Sequence, residues 1–139
     1  MSIDIKTPPR ATGYLLLFRN SEWSETLSRA EIEQVMGKVN AWFDGLSASG
    51  KMVSAQPLME EGAVITGKDG GTVTDGPFSE AKEVVGGFVL LSVDSLEEAV
   101  AIARTNPMHD VGLVTEVRPT ASSCPHLYRI FGQTLEAIA

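Results

Sequence analysis

Cysteine, histidine and basic residues are all scarce in this chain, and each shortage removes a class of function. Of 139 residues only Cys124 is a cysteine, so no disulfide can form within the chain. The two histidines, His109 and His126, come without H-x-x-x-H or C-x-x-C spacing, so no metal site is expected. Lysine and arginine total 11 against 18 acidic residues. The resulting charge of −7 repels phosphate backbones, and nucleic acid is not an expected partner. No apolar run approaches membrane length: the longest, Tyr14 to Phe18, is far too short to span a bilayer or form a signal core. No G-x-x-x-x-G-K occurs, and Gly86-Gly87 is no dinucleotide fingerprint but a place for strands or a turn to pack closely, so no cofactor is expected. What remains is one acidic, soluble domain, expected in the cytoplasm, long enough to bury a core without a covalent or metal staple.

The apolar residues that are present fall into recognisable periods. Tyr14-Leu-Leu-Leu-Phe18 is apolar on both alternating faces, which suits a strand covered on both sides. Ser28-Arg-Ala-Glu31 has capping-box spacing, and Ile32, Val35, Met36, Val39, Phe43 and Leu46 then recur at helical intervals until Gly50. Met52 to Gln56 reads as a strand. Ala63 to Thr66 and Thr72 to Thr74 flank the Asp69-Gly70 turn as a β-ribbon. Gly87 to Val93 is a further strand with both faces apolar. Ser95-Leu-Glu-Glu98 is a second capping box, opening a helix that stops before Pro107. Leu113 to Arg118 is the last strand, and Leu127 to Ile138 has a helical pattern.

The order β-α-β, ribbon, β-α-β predicts an α+β domain, the ferredoxin-like split βαβ with an inserted ribbon. Residues 1–12 read as a flexible lead-in, 13–120 as the domain and 121–139 as a helical extension. Two helices cover one sheet face only. The second apolar face predicts either a homodimer packed sheet to sheet, the preferred reading, or a cover formed by the C-terminal helix.

Several segments carry a family likeness. Tyr14-Leu-Leu-Leu-Phe18, Thr72-Val-Thr-Asp-Gly-Pro-Phe78, Glu80-Ala-Lys-Glu83, Gly86-Gly-Phe88, Val93-Asp-Ser-Leu-Glu-Glu-Ala99 and Glu116-Val-Arg-Pro119 occur in the order seen in the DGPF-type branch of the YCII-related proteins. The chain resembles that branch from about residue 14 to 120. The resemblance implies a ferredoxin-like domain that pairs as a dimeric α/β barrel. The wider group is similar to muconolactone isomerase and includes a dehydrochlorinase, for which a His–Asp acid/base pair is implied. Here the pair is missing: Ser28 to Leu46 holds no histidine, and the expected Asp-Pro is Asn106-Pro107, whose amide takes up no proton at neutral pH.

The remaining candidates each have two readings. Asp75, with Gly76 and Phe78, is either strong turn chemistry or a carboxylate and an apolar wall presented to a ligand. Lys82 and Glu83 form either a surface ion pair or an anchor for an anionic ligand. Glu116 and Arg118 share a strand face, where they serve as an interface salt bridge or grip a substrate carboxylate. His109 is an exposed loop residue, or it has taken over an acid/base role along the loop from Asn106. Asp75, His109 and Glu116 are thus the catalytic candidates, and Asp75, Phe78, Lys82, Glu83 and Arg118 the ligand-binding ones. The missing pair favours a small-ligand-binding or regulatory module. The alternative is a small isomerase or lyase acting on a small carboxylated molecule.

Overall fold

The computed structural model describes residues 6–76 and 83–132. Strand β1 spans Ala11–Arg19, and helix α1, Arg29–Ala48, follows a short 3-10 turn at Ser21–Ser24. Strand β2 is Met52–Pro57, and β3 (Gly62–Thr66) and β4 (Thr72–Gly76) form the ribbon. Strand β5 is Val85–Leu91 and helix α2 is Leu96–Arg104. A 3-10 turn at Pro107–Val111 then leads into strand β6, Val114–Ala121.

Local chemistry sets the helix ends. At α1 both halves of the capping box form: Ser28 Oγ accepts from Glu31 N–H at 3.1 Å, and Ser28 N–H donates to Glu31 Oε1 at 3.1 Å. Ser28 thereby holds the Glu31 carboxyl below the ordinary glutamate range, its backbone bond contributing most and its hydroxyl next. A carboxyl with a depressed folded-state pKa contributes stability above its unfolded value and loses it as pH falls through the folded one. Glu31→Gln is therefore expected to unfold more readily than the native chain at neutral pH and to match it in strong acid. A stability difference that stays constant across the acid limb would refute this.

At α2 only half the expected box forms. Ser95 Oγ accepts from Glu98 N–H at 3.1 Å, but the Glu98 carboxylate pairs with Lys51 Nζ at 3.1 Å.

The main sheet is antiparallel in the order β2-β5-β1-β6, which is the split βαβ topology. Leu16, Val89 and Leu91 are fully buried and pack with Tyr14, Leu46 of α1, and Ala99 and Ala103 of α2. Both helices therefore lie on that face. The other face carries Leu15 opposite Leu90 and Leu17 opposite Phe88, all half-buried. The α/β barrel is overturned: the sheet is open, with β2 and β6 as its edges, and the ribbon forms a separate two-stranded sheet. Four strands do not close on themselves, and apolarity on both faces does not encode how the second face is covered.

β1 begins before the apolar run and ends beyond it. Thr12 and Thr120 pair their hydroxyls at 2.9 Å, and Arg19 pairs with Val114. Ahead of the strand, Ser122 N–H donates to Arg10 O at 2.9 Å and Ser123 Oγ to Thr7 O at 3.1 Å. After β6 the chain makes a helical turn at Pro125–Leu127 and a π-helical turn at Tyr128–Gly132. The rest of the expected C-terminal helix, with Leu135 and Ile138, lies outside the described residues. No helix among the described residues is long and apolar enough to cross a membrane.

Candidate functional site

A cavity of about 360 Å³ opens beneath α1. Met36, Val39 and Phe43 face it because intervals of three and four place them on one side of the helix. The ends of three strands form the floor: Phe18 and Arg19 from β1, Gln56 and Pro57 from β2, Gly86 and Gly87 from β5. Trp23, Asn106, Met108 and Leu113 complete the wall. The two glycines present no side chains to fill the space. Gly87 also lets β2 and β5 approach, since a Cβ there would sit 3.1 Å from Gln56 O and 3.4 Å from Pro57 Cα.

The walls are largely apolar, and the polar groups on them are few. Asn106 is 3% exposed, the buried polar residue among those described, and its Oδ1 accepts from Met108 N–H at 3.0 Å to cap the following 3-10 turn. Asn20 donates from Nδ2 to Gly112 O at 2.7 Å. Arg19 is the single ionisable lining residue, and its Nη2 lies 3.3 Å from Glu116 Oε1. Two atoms of this set are buried without partners, the donor Arg19 Nε and the acceptor Asn20 Oδ1. Leaving a buried polar group unpaired costs roughly 1–3 kcal/mol, more for a charged one, so each is an open position for a polar partner, water included.

The residues selected from sequence lie elsewhere. Asp75 is exposed on β4, opposite Ala63 in the ribbon. Beside it, a Cβ on Gly76 would collide with the Val64 side chain, so close packing requires that glycine. Glu83 is exposed in the turn before β5, while Phe78 and Lys82 lie outside the described residues. Glu116 and Arg118 share the helix-free face, Arg118 Nε lying 3.8 Å from Glu116 Oε2, and through Glu116 they reach Arg19.

His109 is half-buried, with Nδ1 3.1 Å from Leu113 O and Nε2 3.1 Å from Ala103 O and 3.3 Å from Thr115 Oγ1. It braces the segment between α2 and β6. None of Asp75, Glu83, His109, Glu116 and Arg118 lines the cavity. No group of His, Cys, Asp and Glu among the described residues is arranged to hold a metal ion.

Sequence reasoning missed Arg19 and Asn20, although a cation directly after a both-faces-apolar strand was a usable signal. It noted Asn106 only as a departure from a pattern.

Residues 12–120 match the family described as the YCII-related domain. No curated protein matches the sequence. Among solved structures, the chain is similar to 5-chloro-2-hydroxyhydroquinone dehydrochlorinase from Burkholderia phenoliruptrix AC1100, solved in complex with 2,5-dihydroxybenzoquinone. The identity is 17% and the TM-score 0.43, over 78% of this chain and 92% of that one.

Proposed function

The chain belongs to the YCII-related family, and on that premise we propose that it holds a small carboxylated molecule, about one ring in size, in the cavity beneath α1. Arg19 carries this reading. Arg19 lines an apolar cavity with no acidic lining residue, and while its Nη2 pairs with Glu116 its Nε is buried without an acceptor. A cation in such surroundings attracts an anion more strongly than one in water. The volume of about 360 Å³ falls within the range of small-molecule sites. Within the family we assign the chain to the DGPF-type branch, on Asp75-Gly-Pro-Phe78 followed by Lys82-Glu83 and Gly86-Gly87.

Benzoate is a suitable first probe. At a hundredfold excess over its Kd it is expected to stabilise the native chain by ~2.7 kcal/mol, read as a raised Tm. Met36→Trp fills the cavity from α1 and is expected to fold while losing that gain. Equal stabilisation of the variant, or none in the native chain at millimolar benzoate, would remove the reading.

The same ligand serves a binding module or a small isomerase or lyase. The ion pair between Glu116 and the cavity-lining Arg19 favours the enzyme, because it joins a carboxylate to a lining residue. Proton transfer would introduce solvent deuterium into a bound unsaturated carboxylate, and Glu116→Gln would stop it. Binding without exchange would leave the module.

A further inference from the structure

We infer that Asn20 is a specificity residue, selecting those carboxylates that also carry an N–H or O–H donor close to the carboxylate group. The inference rests on the cavity reading above and adds a second requirement to it.

Asn20 directly follows Arg19 at the end of β1, with φ 71° and ψ 70°. Among the described residues only Asn20 and Asp69 are non-glycine residues with positive φ, and Asp69 sits in the turn of the ribbon. Glycine would take that conformation without strain, so an asparagine there calls for a reason in its side chain. One half of the amide supplies a structural reason. Nδ2 donates to Gly112 O at 2.7 Å, tying the end of β1 to the segment before β6.

That bond also fixes which way round the amide lies, since only the nitrogen can donate to a carbonyl. Oδ1 is then an acceptor of known place, buried, unpaired and on a cavity-lining residue. Its sequence neighbour contributes the opposite need, a buried Nε–H without an acceptor. A ligand bringing only a carboxylate would answer Arg19 and leave Asn20 Oδ1 unpaired. A ligand with a donor beside the carboxylate answers both.

The test compares 2- and 3-aminobenzoate with 2- and 3-methylbenzoate, pairs of similar size of which only the first has a donor. Calorimetric titration of the native chain is expected to show at least one aminobenzoate binding ~5-fold tighter than its methyl counterpart. In Asn20→Gly, which accommodates the positive φ, benzoate should still bind and that ratio should fall to about one. Retained benzoate binding and a native circular-dichroism spectrum guard against a glycine variant that fails to fold, and the native-chain ratio tests the inference in that event. Ratios of one for both pairs in the native chain, or an unchanged ratio in a folded Asn20→Gly, would overturn the inference. Benzoate binding without discrimination removes only the role of Asn20. Failure of benzoate to bind the native chain removes the cavity reading beneath it.

Discussion

Leu16→Ala is expected to cost the fold about 3–5 kcal/mol, the upper part of the range for large-to-small core changes. Leu16 is fully buried between Val89 and Val117 across the ladder. Beside it, α2 approaches through the small residues Ala99 and Ala103. None of these neighbours can move in to fill the gap. The strands are held by their registers on both sides, and alanines have no rotamer to swing, so most of the lost volume stays as a void. The adjacent Leu15 provides the control. It lies half-buried on the face away from the helices, and Leu15→Ala should lose only about 1 kcal/mol by area. Urea midpoints with unchanged m-values would read both. An equal loss at both positions would show that the helix-free face is as tightly covered in solution as the core.

The contrast between Leu15 and Leu16 also marks how far sequence reading reaches. The element order, the ribbon and the start of α1 were all legible, because capping chemistry and hydrophobic period are local properties. The Ser28–Glu31 box formed in full. The Ser95–Glu98 box formed by half because Lys51, distant in the chain, competes for the carboxylate. Apolarity on both faces of β1 and β5 was read correctly, yet a closed barrel did not follow from it. Closure depends on pairing at the sheet edges, and residue alternation carries no information about that.

The cavity was illegible for a related reason. It exists where the glycines of β5 and the proline end of β2 leave space under three side chains of α1, a coincidence of separate elements. Charge and turn chemistry instead drew attention to Asp75 and Glu83, which are exposed, and to Glu116 and Arg118 on the helix-free face. Glu116 itself does not line the cavity, although its partner Arg19 does.

Asn106→Asp tests the electrostatics of that cavity directly. The substitution keeps an oxygen to accept from Met108 N–H, but it places a carboxyl where the side chain is 3% exposed. Burial disfavours the charged form, while the Met108 bond favours it and offsets part of the penalty. Holding an aspartic acid neutral at pH 7 costs up to about 4 kcal/mol, so the expected destabilisation there is about 2–4 kcal/mol. The sign with pH follows from linkage. The variant carboxyl is raised in the folded state, so the unfolded chain releases its proton first as pH rises. The penalty should be small below about pH 4, grow above it, and level off once the folded form has ionised as well. Denaturation series at acid, intermediate and neutral pH would trace that curve. A variant as stable as the native chain at pH 7 would mean that the Asn106 position is better solvated in solution than its burial implies.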